Sequence, residues 1–441
     1  MAEIRPFRGV RYNQRLFKDL SSMVCAPSDI ITPTKQRELY HRSECNFVRL
    51  DASLGLAEDT CEDSRWQRAA ITMKDWLNKG ILQIDEVPAI YLHDYSFTYL
   101  GKEYVRRSIT AIVRLERWDR MIVRRHEKIL PELKKSRLIQ IRAMKADTSP
   151  LLVFFKDQEE RISSLLSTLK LGKPIISLDC NTEGRHKVWS ITEPEFIDRI
   201  RTSLAEEPFY IADGHHRYAS ALTYQAERLA SCPSTSMDDA FNFVMMTLTP
   251  TSDPGLIVRP FHRVVRGIPE SILRGLPTEL KTFFNVEEWP LDMPGVWQKA
   301  DNLLINGDPS NPDEVAMIIF GLASDKLVVL RVRNFTIIGR AMPDTQSEEC
   351  KRLDVSIADQ IIIERLLRIT DSKKEKLLDF SIDRQDAVRK VTENKYQLAL
   401  LLRATKPEQI ITIADRGETM PEKSTRFYPK PPTGFVFYQL E

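Results

Sequence analysis

The segment from Phe209 to Ala230 constrains this chain more tightly than any other. Phe209-Tyr210-Ile211-Ala212 is a short apolar run, and Asp213-Gly214 is a turn pair. Beyond it Tyr218, Ala221, Leu222 and Gln225 recur at helical spacing. A strand must therefore give way to a helix within two residues, and the joint carries Asp213, Gly214, His215, His216 and Arg217. A helix N-terminus presents backbone N–H groups and the positive end of the helix dipole, so it attracts anions. Three cation-forming side chains in that first turn oppose the dipole unless an anion sits there. Gly214 lets a ligand approach the backbone with no Cβ in the way. A plainer reading stands beside this one: Asp213 caps the helix and the histidines are neutral surface groups.

At 441 residues the chain is too long for one compact core, so two or three domains are expected. Short apolar runs alternate with helical patterns throughout, which predicts a mixed α+β fold. Residues 89–118 read as two strands joined at Gly101, and Leu151–Phe155 as a compact strand. A helix is expected from Gln158 to Leu169, with Ile162, Leu165, Leu166 and Leu169 on one face. Thr192 with Glu195 three positions on has the pattern of a capping box. Residues 267–312 are rich in Pro, Gly and Asn, which predicts a change of domain or long connections. The expected domains are thus 1–266 and 267–441. In the second, residues 316–332 read as a hairpin, 357–367 as a helix, and 397–402 and 434–440 as strands.

Composition excludes some functions. Sixty-four basic against 62 acidic residues leave a net charge of +2, too small a field to argue for nucleic acid or membrane. No apolar run approaches the roughly 20 residues that span a bilayer. The polar start lacks the core of a signal peptide, so a cytoplasmic protein is expected. The cysteines at 25, 45, 61, 180, 232 and 350 form no CxxC pair and read as reduced thiols. Cys25 is the sole candidate nucleophile among them, and it reads as structural.

The segment from Ile211 to Leu222, with its Asp-Gly-His-His-Arg core, resembles the signature of a prokaryotic family, domain of unknown function 1015. Other stretches agree: 5–13, 123–138, 252–265 and 420–436, so that the resemblance runs from residue 4 to residue 440. One departure is Ser28, where that family usually shows an aromatic, with Asp29 in place beside it. The same turn is similar to the phosphate-binding turn of the ParB/sulfiredoxin superfamily, which includes kinases acting on free serine. That resemblance implies a ParB/sulfiredoxin-like N-terminal domain with an inserted hairpin and helices. It also implies a nucleotide phosphate held by the turn, with Arg217 and the adjacent histidines as contacts.

A phosphoryl-transfer site needs cations on the phosphates, usually Mg²⁺ among them, and a carboxylate to activate the acceptor. His126, His215, His216 and His262 all fall within the family-like stretches. Gly214, His215, Arg217, His262, Arg263, Lys423 and Ser424 are the expected nucleotide contacts, with ATP or ADP as the nucleotide. Asp29, Glu127 and Asp213 are the available carboxylates. Glu127 is the expected base, acting with Asp213 and His216, and Glu127 and Asp213 are the expected Mg²⁺ ligands. Residues 124–128, Arg-Arg-His-Glu-Lys, read equally well as a solvated basic face. Zinc is disfavoured. Adjacent histidines on a helix diverge by roughly 100°, and HExxH fails because Leu130 stands at its last position.

Residues 417–425 space Gly417 and Lys423 like a phosphate loop, but Glu422 replaces the second glycine and Pro421 removes a backbone donor. Lys423, Ser424, Thr425 and Lys430 can still reach a site as side chains. The expected function is a nucleotide-dependent phosphotransferase acting on a small hydroxyl-bearing, serine-like metabolite. The alternatives are a non-catalytic nucleotide-binding regulator and a nucleic-acid-binding protein or nuclease, against which the balanced charge counts. No membrane partner is expected, and a homodimer stays open.

Overall fold

A computed structural model describes the chain apart from residues 57, 58, 60, 181–183, 232, 233, 308, 309, 312 and 313. It divides into two compact units. The first comprises Met1–Arg125, Ile129–Ile257 and Pro429–Glu441; the second comprises His126–Lys128 and Val258–Tyr428. The division differs from the expected break after residue 266, because the C-terminal segment returns to the first unit and pairs there.

The first unit is built on a nine-stranded mixed sheet. Its order is Val123–Arg124, Phe209–Asp213, Leu151–Phe155, Phe243–Pro250, Lys102–Arg114, Ile90–Tyr99, Arg185–Ile191 and Ile176–Asp179, with Ile4–Arg5 paired to Lys102–Arg114. The long hairpin turns between Tyr99 and Lys102, as the Gly101 signal predicts. Leu151–Phe155 is buried at every position. It runs parallel to Phe243–Pro250 and antiparallel to Phe209–Asp213, which explains its unbroken apolar sequence. The helices Pro131–Met144 and His215–Ser231 pack together, with Ser220 Oγ donating to the Lys134 carbonyl at 2.8 Å.

The C-terminal segment is tied to the first unit at several points. Cys25 and Thr433 exchange backbone hydrogen bonds, as do Val10 and Phe437, and Tyr438–Gln439 pairs with Ala146–Asp147. The strand expected over 434–440 thus shortens to two residues plus isolated bridges.

The second unit has a six-stranded antiparallel sheet. Its order is Phe284–Pro290, Lys326–Val332, Ala316–Phe320, Leu398–Leu401, His262–Val265 and Leu378–Ser381. The expected hairpin in 316–332 supplies its second and third strands. The expected helix near 357–367 forms as Asp354–Ile357 followed by π-helical turns over Ala358–Leu366.

Two local expectations give way. Residues 267–312 hold a helix Glu270–Phe283, a strand Phe284–Pro290 and a helix Val296–Asn306. Leu276, Leu280 and Phe283 bury one face of the first helix even though Pro277 lies inside it, so packing outweighs the local breaker. Thr192 does not cap the helix Pro194–Leu204. Pro194 takes the first helical position, which makes Glu193 the N-cap residue. Among the described residues no helix is long and apolar enough to cross a membrane.

Candidate functional site

The joint between strand and helix is built by backbone constraints. Pairing between Phe209–Asp213 and Leu151–Phe155 shifts register between Ile211 and Asp213, which releases the chain from the sheet at the aspartate. Gly214 follows at φ +104°, and a Cβ there would lie 2.4 Å from Leu151 Cδ2. Only glycine meets both conditions. The helix His215–Ser231 begins at once.

Arg217 then turns back across Gly214. Its Nη2 donates to Asp213 Oδ2 at 2.7 Å, and its Nη1 to the carbonyls of Ser149 and Pro150 at 2.8 and 2.7 Å and to Ser149 Oγ at 2.9 Å. The other carboxylate oxygen of Asp213 accepts from Lys430 Nζ, delivered by the C-terminal segment. The same ammonium donates to Asp29 Oδ2, on the single 3₁₀ turn Ser28–Ile30. Asp29, Lys430, Asp213 and Arg217 thus form one chain of alternating charge at the helix N-terminus, all within the first unit.

Burial alone would raise the Asp213 carboxyl, but Lys430 and Arg217 outweigh it and hold the group well below the usual carboxylate range. Burial likewise disfavours the Lys430 ammonium. Asp213 and Asp29 outweigh that too and lift it above the ordinary lysine value. At neutral pH Asp213 and Lys430 therefore face each other as carboxylate and ammonium. Asp29 is the open end: its side chain is 41% exposed, against 20% for Asp213 and 11% for Lys430.

Next to this cluster, Asp147 accepts from the Met245 N–H at 3.0 Å. Burial pushes its carboxyl up to about 6, against the lowering pull of that hydrogen bond and of Arg217.

The remaining expected residues sit elsewhere or are otherwise engaged. His215 is buried. His216 Nε2 accepts the Leu130 backbone N–H at 3.1 Å, so that nitrogen carries a lone pair rather than a proton. Glu127 falls in the second unit, whereas Asp213 and Asp29 lie in the first.

Also in the second unit, Arg263 is fully buried and places its donors on Asp359 Oδ1 and Oδ2 and on the carbonyls of Phe261, Glu422 and Lys423. A guanidinium has five N–H groups, so Arg263 keeps none for phosphate. His262 is buried, with its pKa brought down to about 3 by that burial and by Arg263, and its Nδ1 accepts from the Leu402 N–H at 3.1 Å. It is a neutral acceptor, not a phosphate-binding cation. Ser424 Oγ donates to the Pro421 carbonyl, and the Lys423 ammonium lies 5.8 Å from the centre of the Phe261 ring. Within residues 420–425 the Glu422 and Lys423 carbonyls also accept from Arg263.

Glu127 and Asp213, the expected Mg²⁺ ligands, fall in different units of the chain. Both Asp213 oxygens are engaged by cationic side chains, and among the described residues no three His, Cys, Asp or Glu side chains converge. The donor set does not fit a resident metal ion. Lys430 and Asp29 are the partners hardest to find from sequence, since 401 positions separate them.

The fold and site define a two-unit α+β protein with an ionised cluster at a strand-to-helix joint. The chain belongs to the DUF1015 family, described as a protein of unknown function, whose model matches residues 4–356. No curated protein matches it.

The chain is similar to several solved structures, three of which follow. A free serine kinase variant in complex with ADP shares 13% identity, with 75% of this chain and 92% of that chain covered and a TM-score of 0.36. A conserved hypothetical protein from Pyrococcus furiosus shares 13%, covering 75% and 95%, at 0.33. SbnI with a C-terminal truncation, from Staphylococcus aureus, shares 12%, covering 74% and 86%, at 0.35.

Proposed function

We propose that the chain is a nucleotide-dependent phosphotransferase, with ATP or ADP as donor and a small hydroxyl-bearing, serine-like metabolite as acceptor. The observation that carries this reading is the convergence of Asp29, Lys430, Asp213 and Arg217 at the N-terminus of the helix His215–Ser231. Phosphoryl transfer needs fixed positive charge around the transferring group and a carboxylate at the acceptor oxygen. Lys430 and Arg217, with the helix terminus, supply the first. Asp29 supplies the second.

The choice of nucleotide rests on the likeness of the Asp213–Arg217 turn to the ParB/sulfiredoxin phosphate turn. A fold of that kind for the first unit belongs to the same proposal. In this reading Asp213 anchors the two cations and is not itself a base, because both its oxygens are engaged and its proton is lost far below neutrality.

Lys430 keeps its contact to Asp213 and turns its other N–H groups from Asp29 onto phosphate oxygens as the donor binds. Asp29, released, accepts the acceptor's hydroxyl proton while that oxygen bonds to the terminal phosphorus. The bond from phosphorus to the bridging oxygen breaks, and the shortened nucleotide leaves with the electron pair. No step passes through a metal held by the protein.

The test is incubation of the pure chain with ATP or ADP and a panel of hydroxyl-bearing amino acids and related metabolites, with and without added Mg²⁺. Nucleotide turnover dependent on one acceptor is expected. Saturable nucleotide binding without transfer to any acceptor would replace this reading with that of a nucleotide-binding regulator.

A further inference from the structure

Behind Asp29 lies a second set of buried polar groups that the proposed chemistry does not use. Ser28, its neighbour on the 3₁₀ turn, is gripped from two sides. Its backbone N–H donates to Asp51 Oδ2 at 3.3 Å, and its Oγ accepts from Arg137 Nη2 at 2.8 Å. Asp51 is 1% exposed, and its other oxygen accepts from Thr148 Oγ1 at 2.7 Å. Thr148 directly precedes Ser149 and Pro150, whose carbonyls hold Arg217. Arg137 is braced in turn by Gln140, whose Oε1 accepts from Nη1 at 2.8 Å.

One buried carboxylate therefore ties together two segments far apart in sequence. One carries Asp29, and the other carries the acceptors that fix Arg217. Burying a carboxylate is costly unless its lone pairs are used, and an apolar residue would fill the same space without that cost. What an apolar residue would not do is fix the direction of a short exposed turn. A one-turn 3₁₀ helix has little hydrogen bonding of its own to hold it. Hydrogen bonds to a charged acceptor are stronger and more directional than neutral ones.

We propose that Asp51, with Arg137 acting through Ser28, is a positioning residue that aligns Asp29 with the phosphate-binding cations. This inference rests on the phosphotransferase reading and adds to it the element that sets its geometry. Asp51 touches neither substrate nor nucleotide. Its loss loosens the placement of Asp29, while Arg217 keeps Asp213 and the Ser149 and Pro150 carbonyls and Lys430 keeps Asp213. The consequence is a selective one: the chemical step slows and nucleotide binding holds.

The experiment compares kcat and nucleotide KM for the wild type, Asp51→Asn, Ser28→Ala and Ser28→Thr. Asp51→Asn keeps the shape but replaces one acceptor oxygen with a donor. Ser28→Ala removes only the hydroxyl that Arg137 holds, and Ser28→Thr restores it. The expected result is a fall in kcat of about 10- to 100-fold for Asp51→Asn and a smaller fall for Ser28→Ala, as for a catalytic group displaced by a fraction of an ångström to an ångström. Nucleotide KM stays within about 2-fold, and Ser28→Thr regains most of the lost rate.

If Asp51→Asn fails to fold, the Ser28 pair decides the matter alone. A wild type that turns over nucleotide, with kcat unaltered in both variants or with kcat and KM worsening together, overturns the positioning role and leaves the phosphotransferase reading standing. A wild type without turnover removes both.

Discussion

Arg217 closes back on Asp213 across a single glycine, with Nη2 2.7 Å from Oδ2 and Nη1 on the carbonyls of Ser149 and Pro150. The pair fixes the first turn of the helix against the neighbouring strand. It also leaves the second oxygen of Asp213 to hold Lys430. The candidate site is the outcome of that closure.

Gly214 has no tolerated replacement. A Cβ at φ +104° would meet Leu151 at 2.4 Å and the Arg217 guanidinium at 3.1 Å. Backbone strain and overpacking together give Gly214→Ala a cost of about 2–5 kcal/mol. A chemical denaturation curve checks this through its midpoint, and nucleotide binding should weaken in the same variant.

Asp29→Asn keeps the size and polarity of the side chain and removes its capacity to take a proton. Turnover should fall by about 10²- to 10⁴-fold, as for loss of a general base. Nucleotide affinity should change by only a few-fold. Steady-state kinetics alongside a binding titration separates the two quantities, and equal losses in both would argue against a base.

Asp147 predicts a pH effect of unusual sign for a carboxylate. Its folded pKa stands at about 6 against an ordinary 3.8, chiefly through burial. As pH rises from about 4 to 7 the unfolded chain loses this proton first, so stability declines across that window, by about 3 kcal/mol at most. Asp147→Asn should remove the decline. Melting curves of both proteins from pH 4 to pH 8 should converge at the acid end and separate with the variant higher at neutrality.

Arg263 serves the second unit, where it joins Asp359 to the carbonyls of residues 261, 422 and 423. Removing one partner of a buried ion pair costs about 3–5 kcal/mol. Arg263→Ala should therefore destabilise the protein by that amount. At temperatures where the variant remains folded, the nucleotide dissociation constant should match that of the wild type.

Much of the architecture was legible in local patterns. The turn at Gly101, the buried run Leu151–Phe155 and the joint at Asp213-Gly214 each carry their signal within a few residues. Where neighbours compete with packing, the patterns mislead. Pro194 displaces Thr192 as the helix start, and Leu276, Leu280 and Phe283 keep a helix intact through Pro277. The site was half legible for the same reason. Asp213, Gly214 and Arg217 are adjacent in sequence, whereas Lys430 and Asp29 meet only because the C-terminal segment pairs with residues 10, 25, 146 and 147. Glu127 and Arg263 stand beside His126 and His262 within the family-like stretches, a local signal that carries no information about which partners fold onto them.

Phosphoryl transfer at this site requires the ammonium held between Asp29 and Asp213 to meet phosphate. Titration calorimetry with ATP or ADP on the wild type, Lys430→Ala and Lys423→Ala measures this directly. Saturable binding to the wild type is expected, with binding about 10- to 100-fold weaker for Lys430→Ala, as for one lost charged hydrogen bond, and unchanged binding for Lys423→Ala. Equal affinity in all three proteins, or no heat from the wild type, would contradict it.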